Sequence, residues 1–208
     1  MKRYFILIPV LFSFNLLLGQ IGFGTVSGFD LYQRYRNPVD EIAYPASGNA
    51  FLNFIYGPKI WIGGPKFSVS AEGQVNLGLT SLAVKDFKGL GAVSFPVMAK
   101  FNFNGLSGFH SGFKSGFSIG GGMQWTKTEL YYLSGKYKDR GVSRDFFDVY
   151  FVQVDLGFGS FGTDSAFYIR YGTNPDNKAN VLNIGVVISK NKSFKKKIKS
   201  KMAPVTTN

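Results

Sequence analysis

The sequence predicts an all-β protein: an eight-stranded antiparallel up-and-down transmembrane β-barrel with short periplasmic turns and longer extracellular loops. Three observations predict it. Segments of strand length with an apolar residue at every second position recur through the chain, separated by turn-rich connections. Phe (22), Tyr (11) and Gly (26) are abundant while charged residues make up only 17%, a composition that suits strands. After a short leader, no run approaches the ~18 consecutive apolar residues of a membrane helix, so a membrane-resident form must cross as strands.

The leader comes first. Met1-Lys2-Arg3 precedes an apolar core that ends in small Gly19. This is the layout of a secretory signal peptide, and Pro9 with the short apolar run weakens a transmembrane-helix reading. Cleavage is expected after Gly19, with Gln20 as the alternative site, which gives a leader of 1–19 and a barrel of 20–190 within a chain long enough for one domain.

Eight strands are predicted: Gly22–Arg36, Phe51–Ile62, Phe67–Thr80, Ser94–Asn104, Gly116–Lys127, Phe147–Gly159, Ala166–Thr173 and Val181–Lys190. The third shows the pattern most plainly. Phe67, Val69, Ala71, Val75, Leu77 and Leu79 occupy odd positions, and Ser68, Ser70, Glu72, Gln74, Asn76 and Thr80 occupy even ones. Its fourteen residues at about 3.3 Å each reach roughly 46 Å, enough to span a bilayer at a tilt. The second strand is apolar on both faces, and its pattern does not choose between them.

Three connections are short or Gly-rich (Gly63–Lys66, Gly105–Ser115, Ser160–Ser165) and four are longer or more charged (Asn37–Ala50, Ser81–Val93, Thr128–Phe146, Asn174–Asn180). Alternation of that kind fits turns on the periplasmic side and loops outside. An even strand number then places Gln20 and the C-terminal tail together in the periplasm. Aromatics gather toward strand ends, with Phe67, Phe103, Phe117, Phe158 and Phe167 at the turn side and Phe95, Trp125, Tyr150 and Tyr171 at the loop side, as two interfacial girdles would require.

Taken in strand order, the polar face carries Asp30, Lys59, Glu72, Lys100, Gln124, Asp155, Arg170 and Asn183. An eight-stranded barrel has an interior just filled by side chains, and charges there must be paired. Hairpin symmetry about each turn centre predicts that Lys59 opposes Glu72, Arg170 opposes Asn183, Asp155 opposes Arg170, Glu72 opposes Lys100 and Asp30 opposes Lys59. Gly57, Gly78, Gly120, Gly122, Gly157, Gly172 and Gly185 on the same face would make room for Lys and Arg. The expected result is a plugged lumen threaded by an ion-pair network.

The net charge of +12 is unevenly placed. Lys2 and Arg3 lie in the leader and seven lysines lie between Lys190 and Lys201, which leaves +3 for everything between. The body is therefore near balance, and no nucleic-acid-binding face is expected. The basic tail, 191–208, is expected to be a disordered periplasmic end, with an anionic envelope polymer or lipid as its candidate partner. With no cysteine, disulfide and thiol chemistry are excluded.

Little points to catalysis. The one histidine, His110, sits in a turn, and no nucleophile-elbow, zinc-protease or phosphate-loop motif occurs. No cofactor or metal is expected; Asp176 between Asn174 and Asn177 sits in an ordinary turn sequence. Tyr131, Tyr132, Tyr137, Arg140 and Arg144 crowd the longest loop and form a candidate recognition surface, since rigid barrels place function in loops. The reading is a structural or surface-interaction protein, monomeric, with outer-membrane lipid and the barrel-insertion machinery as partners. Two alternatives stand beside it. One is a lipid-modifying enzyme embedded in the membrane, and the other is a secreted, soluble, lipocalin-like barrel with its apolar face turned inward.

Four stretches carry a family resemblance: the leader ending Leu16–Gln20 (L-L-L-G-Q), S-F-P-V-M-A-K-F-N-F-N-G at Ser94–Gly105, F-S-I-G-G-G-M-Q-W at Phe117–Trp125 and R-Y-G-T-N-P at Arg170–Pro175. The chain resembles the small outer-membrane β-barrel proteins of the Bacteroidetes, within the OmpA/PorT-like barrel superfamily. The resemblance covers most of Gly22–Lys190 and implies an outer-membrane location without a defined activity. One departure stands out: such barrels usually finish at a C-terminal aromatic, whereas here Phe194 is the nearest one.

Overall fold

The computed structural model describes residues 20–37, 46–83, 89–108, 112–132 and 145–193. The leader, His110, Tyr137, Arg140, Arg144 and the lysines beyond residue 193 lie outside the described residues. The described residues form ten strands: β1 (Gln20–Asn37), β2 (Ala46–Ala50), β3 (Asn53–Gly63), β4 (Phe67–Gly73), β5 (Val75–Ala83), β6 (Gly89–Asn104), β7 (Lys114–Tyr132), β8 (Phe147–Ser160), β9 (Thr163–Asn174) and β10 (Ala179–Ser193). They close into one antiparallel barrel in which β1 pairs with β10.

The ten strands make eight staves. β2 and β3 are one stave interrupted at Phe51–Leu52, and β4 and β5 are one stave interrupted at Gln74. A single register shows this. Phe54 faces Leu77, and after the interruption Asn49 faces Leu82 and Gly48 faces Ala83, still in step. Closure gives every stave two neighbours, so the backbone leaves no open edge.

The burial pattern settles which face is inside. β3 reads alternately buried and exposed from Asn53, and β8 does the same from Phe147 to Leu156. The polar positions point inward. The apolar positions, among them Ile119, Val152, Val154, Leu156, Ile169, Val186 and Ile188, point outward and are exposed. A secreted lipocalin-like barrel needs the reverse polarity, so that alternative fails. The second stave defied its pattern because its inner face carries Ile55 and Trp61 between Asn53, Gly57 and Lys59. Ile55 packs inside with Val26, Tyr168 and Val187.

Alternation is not continuous in β1. Asp30 points inward, yet Gln33 and Tyr35 also point inward, so parity reverses between them. The register shifts between Asp30 and Tyr32, and the facing stave is interrupted at the same height, where Leu52 takes a φ of 56°. An extra residue inserted into a ladder bends the strand and flips the following side chains to the other face. Here the two staves carry their irregularities side by side, so pairing resumes at Gln33 and Ala50.

Strands run further than the alternation suggested. β6 begins at Gly89 instead of Ser94 and β7 continues to Tyr132 instead of Lys127, consuming residues assigned to loops. A bulge at Gly91, opposite Glu129 with its φ of 56°, breaks the period there and hid the extension. β10 continues to Ser193, so residues 191–193 belong to the barrel and not to the tail. The β9–β10 connection is a four-residue turn, Pro175–Lys178, rather than a long loop. It is stitched by Asn174 and Asn177, whose side chains accept from the backbone N–H groups of Asp176 and Ala179.

Val154 stands at the middle of β8, outward, between Ile119 and Ile169 on its two neighbours. A lysine at the midplane of a membrane barrel costs about 2–4 kcal/mol, against ~0–1 near the interfaces. Val154→Lys is therefore expected to lower the unfolding free energy in phospholipid vesicles by about 2–4 kcal/mol in urea titrations. A loss under about 1 kcal/mol would place Val154 away from the centre of the apolar band.

Candidate functional site: the barrel lumen

All eight polar-face residues singled out in the sequence are buried within the barrel: Asp30, Lys59, Glu72, Lys100, Gln124, Asp155, Arg170 and Asn183 are each no more than 4% exposed. They do not form one ring. They divide into an ionic chain near the turn end, an arginine centre and an aspartate centre.

The ionic chain alternates in sign. Lys100 Nζ lies 3.0 Å from Glu72 and 3.1 Å from Asp155. Lys59 Nζ lies 3.9 Å from Glu72 and 3.6 Å from Asp164. Two ammonium groups thus bridge three carboxylates. Asn191 adds a hydrogen bond of 2.6 Å to Asp164. Gly120 sits across from Lys100 in the ladder, and a Cβ there would come within 2.6 Å of the Lys100 side chain, so the absence of a side chain gives that lysine its path. This is the one inward glycine of the seven where the space serves a cation. At Gly185 the neighbour is the Tyr168 ring, at 2.8 Å from an ideal Cβ.

Arg170 lies among amides. Its Nε donates to Gln153 at 2.7 Å, and its two terminal nitrogens donate to Gln124 at 3.1 Å and Gln74 at 2.9 Å. Its guanidinium also lies over the Phe151 ring at 4.7 Å and near that of Tyr168 at 5.4 Å. No carboxylate makes an ion pair with it among the described residues. The amides connect it to the ionic chain instead. Gln74 accepts from Arg170 and donates to Glu72 at 3.3 Å; Gln153 accepts from Arg170 and donates to Asp155 at 2.6 Å. Each glutamine therefore turns its oxygen to the cation and its nitrogen to an anion, which is the orientation electrostatics favours.

Asp30 is the third centre. It accepts hydrogen bonds from the Tyr168 hydroxyl and from the side-chain amides of Asn183 (2.9 Å), Asn53 (3.4 Å) and Asn76 (3.5 Å). These donors come from four different staves besides its own. A buried carboxylate is tolerable when its lone pairs are filled in this way.

The registers correct part of the expected pairing. Lys59 opposes Glu72 and Arg170 opposes Asn183, as hairpin symmetry requires. Gln153, not Asp155, opposes Arg170, because the β8–β9 turn is two residues, Phe161–Gly162, and shifts the ladder by two. Glu72 opposes Met98, with Lys100 one inward position along and still in reach. Asp30 opposes Asn53 and not Lys59, because that stave already runs as β2 from Ala46 to Ala50 and the parity break at Phe51–Leu52 intervenes. Lys59 instead lies across from Gly24.

Both ends of the lumen hold apolar groups. At the turn end Trp61 is buried, and Leu106 and Ser107 of the β6–β7 connection are buried with it. Gly108, with a φ of 125°, backs onto the indole; a Cβ there would come within 3.1 Å of the ring. At the loop end Tyr35, Phe147, Val149, Ala179 and Val181 form a buried cluster. Between these, a cavity of about 20 Å³ is lined by Lys59, Glu72, Lys100, Asp155, Asp164 and neighbouring small residues, room for roughly one water.

Several lumen residues escaped selection from sequence. Gln74, Gln153 and Tyr168 lie on the polar parity of their strands, and a rule that admitted more than one polar side chain from each strand would have found them. Asp164 was assigned to a turn; only the true β9 start at Thr163 places it inward. Of the loop candidates, Tyr131 is exposed near the end of β7, and Tyr132 ends that strand. Tyr137, Arg140 and Arg144 lie outside the described residues. Among the described residues no group of three or more His, Cys, Asp or Glu is placed to hold a metal ion.

No family model matches the sequence, and no curated protein matches it. Among solved structures, the chain is similar to the outer membrane protein OprG from Pseudomonas aeruginosa, at 15% identity and a TM-score of 0.46, covering 82% of this chain and 94% of that one. It is also similar to the N-terminal β-barrel domain of Pseudomonas aeruginosa OprF, at 11% identity and a TM-score of 0.41, covering 82% and 98%. The attachment invasion locus protein Ail of Yersinia pestis gives 13% identity and a TM-score of 0.41, covering 82% and 98%.

Lys100 touches two carboxylates, so its removal has a specific consequence. Lys100→Met leaves Asp155 without an ion-pair partner and Glu72 with only Lys59 at 3.9 Å in a buried site, at an expected cost of about 3–5 kcal/mol. Adding Glu72→Gln and Asp155→Asn to that variant is expected to recover most of the loss. Denaturant unfolding in micelles reads both variants, and equal stability of the single and triple variants would refute the coupling.

Proposed function

We propose that this chain is an integral outer-membrane barrel with a plugged, ion-paired lumen, acting as a structural or surface-contact element through the loops at its open end. The observation that carries the reading is the inverted polarity of the barrel: an apolar exterior exposed all round, and a polar interior whose charges are ion-paired or held by hydrogen bonds. Exposed apolar area on this scale is tolerated in a bilayer and not in water. The leader predicted for residues 1–19 supports export, and the resemblance to small Bacteroidetes barrels supports the outer membrane as destination. Partners on this reading are outer-membrane lipid and the insertion machinery, and the barrel works as a monomer because closure leaves no strand edge to share.

The plugged lumen is supported by the side chains across it. Arg170 reaches amides on three other staves, and Asp30 reaches donors on four other staves, so the network spans the bore. An eight-stranded barrel offers little room beyond that. The loops carry whatever recognition the protein performs, with Tyr131, Tyr132, Tyr137, Arg140 and Arg144 as the candidate surface.

The folded protein is expected to partition with detergent or vesicles and to run at different gel mobility before and after boiling. Recovery as a soluble species without detergent would end the membrane reading. In planar bilayers it is expected to give no steady large openings; a sustained, large unitary conductance would contradict the plug.

A further inference from the structure

The acidic residues of this barrel are unevenly distributed. Among the described residues, Asp30, Glu72, Asp155 and Asp164 point into the lumen, Glu129 is buried near the loop end of β7, and Asp145, Asp148 and Asp176 also lie at the loop end. Among the described residues the exterior of the turn end holds none. It does hold four exposed lysines: Lys66 in the β3–β4 turn, Lys114 at the start of β7, and Lys190 and Lys192 near the end of β10. The strand order β10-β9-β8-β7-β6-β4-β3 spaces these three locations around the rim instead of clustering them on one side. None of the four makes an ion pair with a carboxylate among the described residues.

Lys190 and Lys192 are the most telling. They occupy the outward parity of β10, directly continuing Val186 and Ile188, and they face Thr25 and Phe23 across the ladder to β1. The outward strip therefore passes from aliphatic to ammonium within one strand. Phe23, Phe113 and Phe161 are exposed at the same end. A lysine in that setting lays its stem along apolar surface and lifts its charge to the plane where a bilayer changes from acyl chain to headgroup. The strip is thus continuous with the lipid-facing belt, and what it meets at that depth is lipid phosphate.

We propose that the turn-end rim, through Lys66, Lys114, Lys190 and Lys192, binds the phosphate of anionic phospholipid headgroups in the leaflet that surrounds it. This rests on the membrane-spanning reading above and adds a lipid class and a place. The charge is built into the barrel wall, apart from the lysines of the tail. No described carboxylate at that end competes for it, and juxtamembrane lysines each favour anionic over neutral lipid by roughly fivefold.

The test uses the full chain, folded in micelles doped with equal phosphatidylglycerol and phosphatidylcholine, with retained lipids counted by native mass spectrometry. Folding is checked beforehand by heat-modifiable mobility, so that a failure of the barrel reading shows itself separately. The wild type is expected to retain phosphatidylglycerol at least fivefold over phosphatidylcholine. Replacing the rim lysines together (Lys66→Gln, Lys114→Gln, Lys190→Gln, Lys192→Gln), with the tail unchanged, is expected to remove most of that preference. Replacing Arg34→Gln, Arg36→Gln and Lys178→Gln at the other end is expected to leave it intact. Equal retention of the two lipids by the wild type, or a preference unmoved by the rim substitutions, would overturn the proposal. So would rim-dependent co-sedimentation with purified peptidoglycan in the absence of any lipid preference, which would make the wall polymer the partner.

Discussion

Closure of the sheet is the constraint on which the rest of the structure depends. In hydrocarbon, a strand that lacks a neighbour leaves backbone donors and acceptors with no partner, at several kcal/mol for each group. A ring of eight staves meets that condition and sets the bore. A bore of that size must be filled by side chains, and those side chains alternate with residues that must suit lipid. Polar lumen, apolar exterior and abundant inward glycine all descend from the one geometric requirement.

Within the bore, charge is handled by interposition as much as by contact. Lys100 is shared between two carboxylates, which is direct. Arg170 meets Glu72 and Asp155 only through Gln74 and Gln153. An amide accepts from a cation with one atom and donates to an anion with another, so it carries polarisation across a gap that a bare ion pair would not bridge. The arginine is broad and stacks on Phe151, a placement its planar, delocalised group favours over that of a lysine. The aspartate centre works in the opposite sense: one anion collects donors, and Tyr168 connects it to the arginine side by lying near both.

The fold was legible in the sequence because its period is simple. The stave keeps its parity from Phe67 to Leu79, even across Gln74, so its two faces read cleanly. Legibility failed where a residue was inserted. Around Leu31 and Leu52, and again at Gly91 and Glu129, the count slips, and a two-residue period cannot show a strand continuing past its own irregularity. The lumen was partly legible for the same reason. Parity picked out the right face at all eight positions, but register depends on turn length. A two-residue turn at Phe161–Gly162 moved Arg170 from Asp155 to Gln153 and placed Asp164 inside the wall. The relay glutamines were visible as inward polar residues and passed over because charge was given more weight than amide.

The seam between β1 and β10 joins the first described strand to the last, from Gly22 against Ser193 to Arg36 against Asn180. Pairing over that chain separation makes assembly topologically all-or-none. Hairpins between neighbours can form as they emerge, but the ring exists only after its final stave arrives, and pairing of that range is slow. Until then both outer staves present unsatisfied, apolar-flanked edges of the kind that recruit other chains. The polypeptide must therefore travel as a guarded, unclosed intermediate, and its safe handling is a demand that the finished barrel no longer displays.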